Sequence, residues 1–262
     1  MQKVILVTGA TDGIGFETAK MLTSQGHHVL IHGRNPSKLQ HVEQTLSQLG
    51  NVSSYVAELS DLSDVDKLSQ QLISDFETID VVINNAGVFS TQQQRTEEGL
   101  DVRFVVNTLA PYKLTKALLP LLPSDGRVVN LSSAAQGSVS IEALIGNKAL
   151  ADGDAYAQSK LALTMWSRHL GLAYKDTGPV IVSVNPKSLL GSKMVKDAFG
   201  IAGGDLSLGA DILVRASLST EFANAHGLYF DNDLERFSEP HADALDDLKV
   251  QQVIRAIELL SY

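Results

Sequence analysis

Short runs of aliphatic and β-branched residues alternate with longer amphipathic stretches along the whole chain. The runs at 4–8, 28–32, 54–58, 79–84, 128–132, 180–185 and 228–231 predict strands. The stretches at 14–24, 36–49, 61–76, 97–119 and 154–173 predict helices. A stripe of Leu245, Leu248, Val253, Ile257 and Leu260 predicts one more. Pro36 falls where a first helical turn accepts it. Strands alternating with helices predict βαβ units, and so a doubly wound α/β domain with a mostly seven-stranded parallel sheet. No linker or repeat divides the chain, so residues 1–262 read as one domain. Two connections are long: 134–153, an extension beside a strand end, and 187–205, whose Gly191, Gly200, Gly203 and Gly204 suggest a mobile flap. Long loops at carboxyl ends of strands are where such sheets bind ligands.

The 262 residues are 44% hydrophobic and 19% charged, with a formal net charge of −9. That balance argues against a nucleic-acid binder, which would show a basic face. There are no cysteines, which removes disulfides and thiolate metal sites. The start of the chain has no signal-peptide pattern, and no apolar run approaches the ~20 residues of a membrane helix. The expectation is a soluble, cytoplasmic protein with neither nucleic acid nor membrane as partner. His28 and His32 lie on one strand without a carboxylate cluster, so no metal site is expected.

The first strand leads into Gly9, Thr11, Asp12, Gly13, Ile14 and Gly15, which open the first helix. Glycines there permit a tight turn, and the helix start offers unpaired amides to a pyrophosphate. The second strand ends on Arg34, with no acidic residue where an NAD site usually carries one for the ribose 2′-hydroxyl. A guanidinium suits a 2′-phosphate. The expected cofactor is therefore NADP(H), with NAD(H) the lesser choice.

Tyr156 and Lys160 stand at i and i+4, on one face of a helix. A phenol is a poor acid–base near neutrality unless a nearby cation stabilises its phenolate. Ser133 ends a strand and can hydrogen-bond a reacting oxygen, whereas Ser132 should point the other way. Tyr112 and Lys116 repeat the i, i+4 spacing without such a strand before them and read as ordinary helix surface and core.

Together these motifs resemble the short-chain dehydrogenase/reductase family, a Rossmann fold, over essentially the whole chain. The residues that carry the resemblance are the glycine turn, Asp61–Leu62, Asn84–Asn85–Ala86–Gly87, Asn107, Ser132–Ser133 and Tyr156–Ala157–Gln158–Ser159–Lys160. It implies that Tyr156 exchanges a proton with the substrate oxygen, Lys160 holds the nicotinamide ribose and lowers the Tyr156 pKa, and Ser133 orients the carbonyl. It further implies that Asn107 anchors a relay water, that Asp61 and Leu62 contact adenine, and that Asn85, Ala86 and Gly87 line its ribose. The resemblance also places Pro186 and Leu189 among the cofactor-binding residues. The 23 positions from Ser133 to Tyr156 resemble the retinol dehydrogenase-like branch and its bacterial relatives. The resemblance also implies a homodimer or homotetramer through the helices bearing Tyr112 and Tyr156.

The family's Pro-Gly is here Pro186–Lys187, and its threonine has only Ser192, one position later. Either Lys187 points to solvent or nicotinamide placement is altered. The expected function is NADP(H)-dependent hydride transfer with a small-molecule carbonyl or alcohol. The alternative is a regulatory or scaffold nucleotide-binding protein that has lost turnover. Val139, Ile141, Leu144, Ile145, Leu189, Leu190, Met194 and Phe199 suggest a lipophilic substrate, or else pack the loops.

Overall fold

A computed structural model describes residues 1–261, and for Phe199 the backbone alone. Seven strands pair in parallel: β1 (Val4–Val7), β2 (His28–Gly33), β3 (Val52–Val56), β4 (Val81–Asn84), β5 (Arg127–Leu131), β6 (Val180–Asn185) and β7 (Tyr229–Asp231). Their order is β3-β2-β1-β4-β5-β6-β7, and an eighth strand, β8 (Arg236–Ser238), adds antiparallel to β7. The helices are α1 (Gly13–Ser24), α2 (Pro36–Leu46), α3 (Leu62–Asp75), α4 (Val102–Phe104), α5 (Ala110–Leu118), α6 (Ile141–Leu144), α7 (Asp152–Ala173), α8 (Lys193–Phe199), α9 (Leu206–Leu218) and α10 (Asp247–Leu260).

The strands are buried on both faces, which is why they read as unbroken apolar runs. Leu6, Leu30, Val82, Val128 and Ile181 share a core with Leu68 of α3, Leu114 of α5, Leu163 of α7 and Ile254 of α10. Ile5, Ile31, Ile83 and Val182 share the opposite core with Leu22 of α1, Leu39 of α2 and Leu213 of α9. The order in which strands are added reverses between β1 and β4. A crevice therefore opens at their carboxyl ends, where the glycine turn and Asn85 meet.

The structure departs from the pattern in instructive places. The predicted helix 97–119 begins only at Val102, because Gly99 turns at φ +82° and Asp101 caps the backbone amide of Arg103. A π-helical turn, Val105–Leu109, then joins α4 to α5. β3 ends two residues earlier than expected. α9, which the pattern missed, presents Ala210, Leu213 and Ser217 at helical spacing behind the cap Asp205. In the last helix the buried positions are Val250, Val253, Ile254, Ala256 and Ile257, while Leu245 and Leu248 are exposed. The long connections contain α6 and α8.

Tyr112 is buried, stacks edge-on against Trp166 and donates to Glu258 of α10 at 3.2 Å, while Lys116 is exposed. Lys113 reaches the Ser261 carbonyl. The chain's own last helix thus packs on α7 and reaches Tyr112 of α5.

Candidate active site

The glycine turn closes tightly on β4. A Cβ on Gly15 would lie 2.3 Å from the Gly9 carbonyl and 2.4 Å from Asn85 Nδ2, so only glycine fits. Asn85 Nδ2 donates to the carbonyls of Thr8 and Gly9, and Ala86 packs under Gly9. The Asn85 amide therefore shapes the turn. Thr11 lies over Gly33 at the end of β2. Asp12 caps α1 through the Gly13 amide, and Ile14 packs on Gly209 of α9. Backbone amides at a helix start, cradled by glycines, fit a pyrophosphate.

Arg34 is largely exposed, and its guanidinium stands 3.7 Å from Glu58. The sequence reading missed Glu58, because it looked for an acid only after β2. Asp61 accepts from the Ser63 amide as the cap of α3, its carboxyl held below the usual carboxylate range by that bonding, and Leu62 begins the helix. The carboxylate beside Arg34 is thus Glu58.

Asn107, Ser133, Tyr156 and Lys160 converge. The neighbouring Ser133 hydroxyl draws the Tyr156 phenol down, but burial pushes it up more strongly. Ser133 Oγ accepts from the Ala135 amide at 3.1 Å, which leaves its own proton to donate. The Ser133 carbonyl accepts from Gln136 Nε2 at 3.0 Å and Tyr229 Oη at 3.2 Å. Neither Gln136 nor Tyr229 was singled out in the sequence. Ser132 turns away onto Thr164, as strand alternation requires.

Lys160 is buried, and desolvation holds its ammonium down to about 8. It donates to the Leu131 carbonyl and lies 5.7 Å from the Tyr156 ring centre. The influences that move the phenol are burial and Ser133.

Asn107, inside the π-helical turn, accepts from the Val88 amide and donates to the Val88 carbonyl and Ser159 Oγ. Both of its N–H bonds are used, so only the carbonyl oxygen could take part in a relay. A Cβ on Gly87 would sit 3.3 Å from that oxygen and 3.4 Å from Lys160 Nζ, so this glycine lets the two converge. Buried Arg103 pairs with Asp101 and with Asp152 at the start of α7, tying the catalytic helix to α4.

Lys187 has φ +117° and Leu189 φ +54°. Lys187 therefore holds the backbone shape that glycine favours, which preserves the turn at a cost in strain. Asp233 fixes this turn by accepting from the Ser188 amide and hydroxyl and from Asn185. The Lys187 charge acts on Asp233, and the Pro186 carbonyl accepts from Asn232. Ser192 caps α8 and lies beside Gly13.

Of the apolar loop residues, Leu144 and Leu190 are buried in the fold, and Val139, Ile141 and Ile145 pack on the core. Leu189 is half exposed and Met194 Cε lies 3.9 Å from the Gly87 Cβ position, whereas the Phe199 side chain is outside the described residues. Phe89, not singled out in the sequence, stacks on Tyr156 with ring centres 5.1 Å apart. Among the described residues no three His, Asp or Glu side chains gather as metal ligands, and no helix is long and apolar enough to cross a membrane.

The family model for short chain dehydrogenases matches residues 3–199. Human polyprenol dehydrogenase is 36% identical over 64% of this chain and 54% of its own length. Bovine retinol dehydrogenase 12 is 33% identical over 75% of this chain and 64% of its own length. The chain thus spans less than two thirds of these two relatives. A Shigella flexneri structure described as a short chain dehydrogenase complexed with NADP has 26% identity and a TM-score of 0.70, covering 88% of this chain and 97% of that one. A Mycobacterium paratuberculosis structure, at 24% identity, shares the fold with a TM-score of 0.81 over 99% of this chain and 93% of its own. Motifs, fold and matches agree: the chain belongs to the short chain dehydrogenase family, in the branch of the retinol dehydrogenases.

Proposed function

We propose that the protein is an NADP(H)-dependent oxidoreductase acting between a carbonyl and its alcohol, with a lipophilic substrate. The observation that carries the reading is the buried Tyr156 phenol beside Ser133, with the buried Lys160 ammonium 5.7 Å from its ring centre. The nicotinamide, when bound, supplies or accepts the hydride at the substrate carbon. Tyr156 gives its proton to the substrate oxygen in reduction and takes it back in oxidation. Ser133 donates a hydrogen bond to the same oxygen, and the Lys160 charge favours the phenolate left behind.

NADP(H) over NAD(H) is supported by Arg34 and by the NADP-bound Shigella structure, with Glu58 acting against it. The relatives named for retinol and polyprenol, both apolar alcohols, support a lipophilic substrate, as do Phe89, Met194 and Leu189. Cytoplasmic location belongs to the same reading. So does a homodimer or homotetramer through the helices bearing Tyr112 and Tyr156; light scattering at two concentrations tests it.

The decisive test follows NADPH oxidation over a panel of long-chain aldehydes and ketones. Turnover should appear and be lost in Tyr156→Phe. Equal turnover by that variant would overturn the mechanism.

A further inference from the structure

We infer that His32 is a positioning residue for the dinucleotide site, held as one neutral tautomer that fixes the glycine turn from below. The inference rests on the reading that this turn binds the cofactor. His32 is the penultimate residue of β2 and is only 2% exposed. Its Nδ1 lies 3.2 Å from the Gly9 amide, which can only donate. Its Nε2 lies 3.0 Å from the Ala57 carbonyl, which can only accept. The two partners together require hydrogen on Nε2 and a lone pair on Nδ1. The His32 carbonyl also accepts from the Ala10 amide at 2.9 Å. One residue thus ties two consecutive amides of the glycine turn to the connection between β3 and α3. That connection carries Glu58, the partner of Arg34.

A second proton on the ring would set the Nδ1 hydrogen against the Gly9 hydrogen and release the turn. Burial opposes that proton and outweighs the Ala57 carbonyl and the Glu58 charge that favour it, so the ring titrates below the usual imidazole range. Among the described residues, Glu58 is the charged group acting on the ring. Asp12, the carboxylate of the turn itself, is bonded to the Gly13 amide, and Arg34 at the strand end faces Glu58. Loss of the acceptor leaves a buried amide unpaired, worth about tenfold in a binding constant that depends on its position.

The test measures NADPH and NADH dissociation constants by fluorescence titration for the wild type, His32→Asn and His32→Leu, at pH 8 and pH 6. Asparagine keeps an acceptor near Nδ1 and does not titrate. His32→Asn should bind within about threefold of wild type at pH 8, and His32→Leu about tenfold more weakly. Between pH 8 and pH 6 the wild type and His32→Asn should change alike for both dinucleotides, because burial keeps the ring neutral over that range. The NADH arm removes the 2′-phosphate, which titrates in the same range. Equal affinities of the two variants at pH 8, or a loss of affinity between pH 8 and pH 6 in the wild type that His32→Asn does not share, would overturn the inference. Nitrogen-15 spectra of the wild-type imidazole give a readout independent of how the variants fold; an Nδ1–H tautomer would also overturn it. Absence of any dinucleotide binding by the wild type at pH 8 would instead overturn the functional reading.

Discussion

The Lys160 ammonium donates to the Leu131 carbonyl at 2.7 Å and stands 5.7 Å from the centre of the Tyr156 ring. The ammonium thus stands beside the phenol ring while its hydrogen bond goes to the end of β5. Because burial keeps Tyr156 protonated at neutral pH, the site is set to donate a proton. Lys160 loses its charge as pH rises through about 8. Carbonyl reduction is expected to hold from pH 6 to 7.5 and to fall through that point, while alcohol oxidation rises with alkalinity. Steady-state pH profiles check this, with Lys160→Met expected to be slower by at least about a hundredfold and without the alkaline limb. A limb that persists in Lys160→Met would belong to another group.

Glu58 competes for the cation that a 2′-phosphate would use. Exposed pairs of this kind contribute about 0.2–1 kcal/mol. Glu58→Gln should therefore tighten NADPH binding by about two- to fivefold and leave NADH nearly unchanged. Arg34→Ala should weaken NADPH alone. Equal effects on both cofactors in a fluorescence titration would remove Arg34 from the selectivity argument.

Lys187 at φ +117° invites a stabilising replacement. Glycine relieves strain of about 1–3 kcal/mol and returns some of it through the greater freedom of the unfolded chain. Lys187→Gly should gain about 1 kcal/mol, raising the melting temperature by about 2–4 °C for a domain of this size. Cofactor affinity should stay within a few-fold. A tenfold tighter titration would show that the lysine had obstructed the site.

Gly15 and Gly153 should respond oppositely to alanine. The new methyl meets backbone and the anchored Asn85 at Gly15, but open space at Gly153 in the first turn of α7. Gly15→Ala is expected to destabilise by about 2 kcal/mol and to abolish dinucleotide binding. Gly153→Ala should be neutral or stabilising by about 0.5 kcal/mol. Chemical denaturation with a binding titration separates the two, and tight binding by Gly15→Ala would contradict the cradle geometry.

Periodicity located the parallel strands and the helices between them because both cores are built from alternate strand residues such as Ile5 and Leu6. The convergence of Tyr156, Lys160 and Ser133 was legible too, since helix spacing and strand ends fix their directions. What escaped depended on contacts distant in sequence. Glu58 meets Arg34 only because β3 pairs with β2. Tyr229 and Gln136 act on the Ser133 carbonyl, which no side-chain pattern reports. The Lys160 ammonium turned to a backbone oxygen, which spacing alone does not foresee. Leu245 and Leu248 completed an apparent stripe, but the helix starts after the first and its buried arc passes the second by.

The docking of α10 closes a very long loop, as the bond from Tyr112 to Glu258 spans 146 residues. Contacts of such separation are entropically late in folding. Tyr112 lies against Trp166, the chain's single tryptophan, which is fully buried in the core that α10 shares. The molecule therefore carries its own optical reporter of the final folding event, and quenching or a spectral shift of one indole would time the arrival of the last helix on the back of the catalytic one.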